Sequence, residues 1–286
     1  MKINLFISFS GGRTSAFMTK WMLDNVQDDY NKIIVVFANT GQENEETLRF
    51  VNQCDKQWGF SVVWVEAVVD FRKNKGVTHH VVDFSSASRK GEPYIEVIKK
   101  YGIPNMSYPH CNRDLKLAPL HSYAKELGWK KGSYETAIGI RIDEMDRVSS
   151  KMVEEKIIYP LVENKKMTKE MISIWWSKQS FNLNLKEHEG NCKWCWKKSK
   201  RKLLTLAKDT PEIFDFPMEM EGRYGLSGHN EDGTKRVFFR NNKSTKEIIA
   251  LSKLPFVPFS EAAINFDMFD FDMDSSNGCS DGCEVF

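Results

Sequence analysis

The chain has no apolar run that approaches the roughly 18 residues of a membrane-spanning helix. Its first apolar stretch, Ile3 to Ile7, is too short for a signal peptide, and no small-residue cleavage site follows it. A cytoplasmic location is therefore expected. Net charge is nearly absent: 41 Lys and Arg offset 39 Asp and Glu, for a formal +2. That excludes a uniformly basic coat for nucleic acid and leaves room only for a local basic patch. Internal repeats are absent. So are two common glycine-rich nucleotide signatures, the Walker A spacing and G-x-G-x-x-G. Cysteine is sparse, with six in 286 residues, and in a cytosolic chain these are poor candidates for disulfides. Cys54 sits in a helical pattern with Phe50, Val51 and Trp58 and is expected to be a packing residue. The spaced cysteine pairs suit thiol chemistry or metal binding better.

What is present describes a packed domain: 41% apolar and 28% charged residues. Ile3–Phe9, Ile33–Ala38 and Val62–Val65 are short runs of β formers. Between them, Arg13–Val26 and Glu43–Trp58 have helical spacing, and the second carries acidic residues in its first turn. Strand, helix, strand, helix, strand is a parallel βαβαβ unit, and such sheets bind ligands beyond the carboxyl ends of their strands. Residues 67 to 110 are less regular and are expected to form an insertion with one helix near Tyr94–Tyr101 and a surface loop at His79-His80. Further on, Arg113–Leu127 reads as a helix and Glu135–Ile140 as a strand. A helix from Thr168 to Gln179 has Thr168 as its N-cap and Met171, Ile174 and Trp175 as its apolar face. Asn230-Glu231-Asp232-Gly233 signals a turn between two short strands. The character changes near Glu189, which divides an α/β domain, 1–189, from a smaller cysteine-containing segment, 190–286. Lys193 to Lys202 holds six basic residues, whereas beyond Lys253 there are seven acidic residues and no basic ones.

The segment Ser8-Phe9-Ser10-Gly11-Gly12-Arg13-Thr14-Ser15 joins the first strand to the first helix. Its glycines permit positive φ and close backbone approach, so successive N–H groups can form an anion nest. The helix start adds its amides and partial positive charge. Ser8, Ser10, Thr14 and Ser15 supply hydroxyls and Arg13 a fixed charge. Asn39-Thr40-Gly41 ends the second strand and can converge on the same ligand.

The loop resembles the PP-loop, SGGxDS, of the adenine nucleotide α-hydrolase superfamily, which includes the N-type ATP pyrophosphatases and the phosphoadenosine phosphosulfate (PAPS) reductases. Three later segments narrow the resemblance to the PAPS reductase-like family. They are Phe37–Gly41 followed by Glu46-Thr47-Leu48; Cys111-Asn112-Arg113-Asp114-Leu115-Lys116; and Gly139-Ile140-Arg141 through Glu144 to Arg147, ahead of Tyr159-Pro160-Leu161. The resemblance covers about residues 4 to 205. It implies a doubly wound, mostly parallel α/β sheet. It also implies an adenine nucleotide, whether PAPS, adenosine phosphosulfate or ATP, held by the two loops together with Arg113, Lys116, Gly139, Arg141 and Arg147. Arginine forks and a lysine point charge suit the oxyanions of such a ligand, with Glu144 orienting the arginines. Two departures stand out. Thr14 occupies the position where pyrophosphatases usually have Asp. The chain also lacks the Glu-Cys-Gly-Leu/Ile-His tail of many PAPS reductases and ends instead around Cys279 and Cys283.

Cys192-x-x-Cys195 is half of a tetrahedral metal site, which Cys111 and a tail cysteine, or His110, would complete. Zinc and an iron–sulfur cluster both suit thiolates. The redox alternative has a thiolate, Cys279 or Cys283, attack the sulfur of a phosphosulfate while Arg141 stabilises the departing phosphate, with basic neighbours favouring thiolate at Cys192 and Cys195. The basic run Lys197–Lys202 is read as a solvated helix face, with contact to a nucleic-acid backbone as its rival.

Three functions follow as expectations. The first is thiol-dependent sulfonucleotide reduction or sulfur transfer, with a reductant such as thioredoxin. The second is ATP pyrophosphatase chemistry with Mg²⁺, adenylating a tRNA, DNA or small-molecule acceptor. The third is a nucleotide-binding module without catalysis. Self-association is compatible with all three.

Overall fold

The computed structural model describes residues 2–228 and 233–260. β1 (Asn4–Ser8), β2 (Ile33–Asn39) and β3 (Val63–Val69) alternate with α1 (Arg13–Asn25) and α2 (Glu45–Trp58). The helix α2 begins after Asn44 with Glu45 and Glu46 in its first turn, and it stops at Gly59, whose φ of 64° permits a left-handed cap bonded to Asp55 O. An antiparallel turn then leads to β4 (Val77–Val82), followed by α3 (Glu92–Tyr101), α4 (Ala118–Glu126) and β5 (Tyr134–Ala137). α5 (Met152–Glu155) and α6 (Pro160–Glu163) are single turns on either side of β6 (Ile157–Ile158). α7 (Lys169–Trp176), α8 (Lys200–Asp209), α9 (Asp215–Tyr224) and α10 (Thr245–Leu251) follow.

The six strands form one sheet in the order β4-β3-β2-β1-β5-β6, parallel except for β3 with β4. β1 pairs with β2 on one side and with β5 on the other, Ile7 lying opposite both Val35 and Ala137. The strand order reverses at β1/β5, where open sheets of this kind present their crevice. Leu5, Ile7, Phe9, Val35 and Phe37 face α1, α2 and α7 and pack with Met18, Val51 and Trp176. Phe6, Ile34, Val36 and Val65 face the other way, onto Leu120 and Ala124 of α4. This is the period-2 alternation of a sheet covered on both faces. From residue 194 onward, Trp194, Trp196, Leu203, Leu206 and Phe238 share a cluster with Val97, Ile98 and Leu115. Among the described residues no helix is long and apolar enough to cross a membrane.

Several local expectations are corrected. His79 and His80 lie on β4, not in a loop; His79 Nδ1 meets Ser122 Oγ at 2.9 Å. β5 stops at Ala137, because Ile140 N turns back to Ile138 O (3.0 Å) and sends both isoleucines into a separate cluster with Ile157 and Tyr159. Thr168 does cap α7, accepting from Met171 N. The buried face of α7 is Ile172 and Trp176, however, while Met171 and Ile174 are exposed. The two i,i+4 registers are equally apolar in sequence, and Trp176 wins by packing onto Phe50 and Trp58. Residues 230–232 of the expected turn lie outside the described residues, and the stretch before them is helical, not a strand. The basic run is not a solvated face throughout: Lys198 is 3% exposed and donates to Gly190 O.

Candidate nucleotide site

The first loop is tight for reasons internal to the fold. Gly11 has φ +80°, and a Cβ there would lie 2.9 Å from Thr47 Cγ2 and 3.0 Å from the Phe37 ring. Gly12 is extended and caps α1, its carbonyl accepting from Ala16 N at 3.0 Å. Ser10 Oγ donates to Ser15 Oγ (2.9 Å), which donates to Gly12 O (3.1 Å). Gly139 lets the chain after β5 approach Ser15; a Cβ would sit 3.1 Å from Ser15 Cα. The charge of Arg13 is not turned to the loop. Its Nε donates to Asn182 Oδ1 (2.8 Å) and its Nη2 to Leu183 O and Leu185 O, so the guanidinium straps residues 182–185 against α1.

Thr14 Oγ1 accepts from Arg141 Nη1 at 2.8 Å. Arg141 is 2% exposed and also pairs with Asp143 (3.1 Å) and Glu144 (3.3 Å). Glu144 in turn pairs with Arg147. This chain of contacts ties the loop after β5 to the first turn of α1 and sets Glu144 between two arginines. Arg113 forks onto Asp114 (both contacts 2.9 Å) with its side chain 64% exposed. It does not line the cavity over the loop. Lys116 does, and is 7% exposed. That cavity is small, about 20 Å³, and is lined by Ser10 to Arg13, Glu43, Thr47, Lys116, Lys186 and Asn191.

The second loop rests on carboxylates that the motif reading did not single out. Asn39 Nδ2 donates to Glu66 Oε1 (2.5 Å) and Ser88 O (2.9 Å), while its Oδ1 accepts from Gly41 N (3.2 Å). Glu66, 1% exposed, also accepts from Ser88 N and Ser88 Oγ. Asn39 and Glu66 are register partners on β2 and β3. A lone Glu within the apolar run Val62–Val69 was the available signal. Thr40 N and Oγ1 both donate to Glu43, at 2.9–3.0 Å. Gly41 has φ +77°, and a Cβ there would strike Gly91 at 2.9 Å.

This loop is joined to the cysteine turn. Lys193 N donates to Gln42 O (3.0 Å), Trp194 Nε1 to Gln42 Oε1 (2.7 Å), and the backbones of Glu43 and Cys192 pair in an isolated antiparallel β-bridge. Thr40 Oγ1 lies 3.6 Å from Cys192 Sγ. Cys111, Cys192 and Cys195 line one cavity with Thr40, Tyr94 and Lys116. Tyr94 is fully buried there; burial, and then the three neighbouring thiols, push its hydroxyl well above its ordinary value. His110 is directed elsewhere, its Nε2 donating to Gly102 O at 3.2 Å. Among the described residues no group of three or more His, Cys, Asp or Glu is placed to hold a metal ion. Cys279 and Cys283 lie outside the described residues. Burial pushes the Cys54 thiol far up, in keeping with a packing role.

A third concavity, about 170 Å³, opens on the α4 face at the β1/β5 crevice. Its floor is Phe6 and Ser8 of β1 with Thr136 of β5 and Ile138 just beyond it, and its wall is Leu117 and Leu120. The Ser8 and Thr136 hydroxyls make no hydrogen bond among the described residues. Leu117 and Lys116, adjacent in a π-helical turn (Arg113–Leu117), face this slot and the cavity over the first loop respectively.

Beside the site, Glu187 accepts from Lys169 and from Lys202 (2.9 Å). Burial raises its carboxyl, but the two lysines outweigh burial and hold it below its ordinary value. A depressed folded pKa gives stability that is present above the unfolded value and lost as pH falls through the folded one. Glu187→Gln is thus expected to cost about 1–2 kcal/mol at pH 7, discounted because Lys169 is 38% exposed. The cost should shrink below the ordinary carboxyl value of 4.5. Urea midpoints at pH 7 and 3.5 check this, and a pH-independent difference would refute it.

Residues 4–102 match the family model described as the phosphoadenosine phosphosulfate reductase domain. Over 98% of its length the chain is 32% identical to the uncharacterised nin region protein ORF290 of Escherichia phage lambda, covering 94% of that protein. An uncharacterised protein of Methanocaldococcus jannaschii is 29% identical over 44% of this chain and 21% of its own length. Among solved structures, a phosphoadenylyl-sulfate reductase from Candida auris in a phosphate complex aligns with 63% of this chain and 75% of its own. It does so at 14% identity and a TM-score of 0.36.

Proposed function

Because the chain belongs to the PAPS reductase-like family of the adenine nucleotide α-hydrolases, we propose that it acts on the phosphosulfate end of an adenine nucleotide by thiol chemistry. One observation carries this reading: the cavity over the Ser10–Ser15 loop and the cavity of Cys111, Cys192 and Cys195 share the walls Lys116 and Asn191. A nucleotide phosphate on the loop presents its terminal group toward thiols. The base is assigned to the slot at Ser8 and Thr136, a mostly apolar pocket with two hydroxyls to read a ring edge.

In this reaction a cysteine thiolate, assigned to Cys279 or Cys283, attacks the sulfur of the phosphosulfate. The S–O bond to phosphorus breaks and its electron pair leaves on the phosphate, beside Lys116 and the amides of α1. A second thiolate then attacks the S-sulfocysteine, releasing sulfite and leaving a disulfide. A dithiol reductant such as thioredoxin returns both cysteines to thiols. Arg141 acts from behind the loop, through Thr14. In kind, Cys111, Cys192 and Cys195 also suit zinc or an iron–sulfur cluster, although among the described residues they are not placed as a ligand set.

A second reading, cleavage of ATP with Mg²⁺ to adenylate an acceptor, is favoured by Glu43. This carboxylate lines the cavity over the first loop at 6% exposure and would repel a phosphate unless a cation stood between them. Two assays separate the readings. Sulfite release from PAPS with thioredoxin supports the first, and acceptor-dependent pyrophosphate release from ATP the second. In either case Lys116→Met is expected to weaken nucleotide binding by about 10–100-fold, the range for one charge-assisted phosphate contact. Titration calorimetry checks this; unchanged affinity in Lys116→Met would remove the phosphate assignment.

A further inference from the structure

The charges of this near-neutral chain are sorted along its length. Residues 186–202 hold seven Lys and Arg against two Glu, and residues 261–286 hold seven Asp and Glu with no Lys or Arg. The basic stretch borders the site: Lys186 lines the cavity over the first loop and Lys197 the thiol cavity. The course of the chain just before the acidic stretch is set by contacts. Phe256 lies over Lys208 at the end of α8 (5.8 Å). Phe259 lies under Lys202 (4.7 Å) and Arg201 (5.7 Å) near the start of that helix. Phe259 N donates to Thr205 Oγ1 at 2.8 Å, and its ring meets His188 at 5.4 Å. Residues 256–259 therefore run backwards along α8, toward the cysteine turn and the basic border, and the acidic residues come next in sequence.

We propose that the basic border formed by Lys186, Lys193, Lys197, Lys200 and Arg201 is the docking surface for this chain's own acidic C-terminal segment, residues 261–286, which competes there with anionic ligands of the cavity over the first loop. Three considerations select this occupant over an external polyanion. The segment is tethered at the edge of the surface, so its effective concentration is high without any new contact. Its 26 residues span up to about 90 Å if extended, far more than the border requires. Its charge is of one sign and opposite to the border's. The docking depends on charges near the surface, so it weakens as salt shortens the Debye length from about 8 Å at physiological strength to about 3 Å at 1 M. The competition part rests on the phosphate reading proposed above, whereas the docking part does not.

The test uses the full chain and a full-length variant, D267N/D270N/D272N/D274N, which leaves Cys279 and Cys283 in place. Carbodiimide coupling of carboxylates to lysines, followed by peptide mapping of the single-chain band, should join 261–286 to Lys186, Lys193, Lys197 or Lys200. These links should fall several-fold in the variant and in 1 M salt. Links absent, or spread evenly to remote lysines such as Lys20 and Lys99, would overturn the docking. Inorganic pyrophosphate, titrated by calorimetry, should bind the variant about 10-fold more tightly than the parent, and equal affinity would overturn the competition. If pyrophosphate binds neither protein, the phosphate reading and the competition built on it both fail, and the cross-links still decide the docking.

Discussion

Arg141→Met should lower stability by about 3–5 kcal/mol and abolish turnover, the largest single loss expected in this protein. Arg141 is 2% exposed and stands between Thr14, Asp143 and Glu144. Truncating one partner of a buried ion pair leaves the other charge without its compensation, and that penalty, rather than the net worth of the pair, sets the size. Arg147 still reaches Glu144, which moderates the loss. The loss of turnover has a geometric cause: Thr14 is in the first turn of α1, so the bond from Arg141 fixes where the helix amides point. Chemical denaturation gives the stability, and on the proposed reading of the function sulfite release gives the activity. Arg141→Met with Glu144→Leu should recover part of the stability and none of the activity. Full recovery of both would show that the arginine serves packing alone.

Gly11→Ala is expected to cost about 2–5 kcal/mol. A left-handed backbone is strained for alanine by about 1 kcal/mol or more. The added methyl also meets Thr47, Phe37 and Val51 at 2.9–3.1 Å, inside a packed core, where overpacking costs about 1–3 kcal/mol. Gly59→Ala is the internal control. Its φ is also positive, at 64°, but nothing lies within 4 Å of the added atom, so only the strain remains. Urea midpoints of the two variants should therefore differ clearly, and coincident midpoints would mean that the loop yields and the packing is not what holds Gly11.

The two glycines of the first loop announce a close approach, and their sequence context gives a phosphate ligand as the reason. The structure gives Gly11 a nearer reason, contact with α2 and β2. Both can be true of one residue, and sequence alone cannot separate them, because a missing side chain says nothing about which neighbour required its absence. The βαβαβ unit was legible because its strands are buried on both faces and read as unbroken apolar runs. β4 was not legible. It is an edge strand, Val77-Thr78-His79-His80-Val81-Val82, with polar residues at its centre and a partner found only by folding back. The direction of Arg13 was equally hidden, since its carbonyl partners lie some 170 positions away. Glu66 was visible as a charge out of place, but its work for Asn39 depends on a strand register that only the sheet supplies. The convergence of Cys111 with Cys192 and Cys195 lay between these cases: the residue types announced it, and the join between Gln42 and Trp194 achieves it.

The π-helical turn at Arg113–Leu117 has a consequence for reading relatives of this chain. Such a turn is an α-helix carrying one surplus residue. Each residue advances an α-helix by about 100°. A relative lacking one residue between the cysteine and the lysine of this segment would keep the helix and most of the letters of the motif. Where the missing residue is the surplus one, the turn closes to an ordinary α-turn and the lysine keeps the direction it has here; a deletion that the bulge does not absorb turns the lysine by about a third of a turn, away from the cavity over the loop. The spacing in Cys111-x-Arg113-x-x-Lys116 is therefore a record of helical winding as much as of composition, and a gap placed there in a comparison of sequences has to be read first as the loss of the surplus residue.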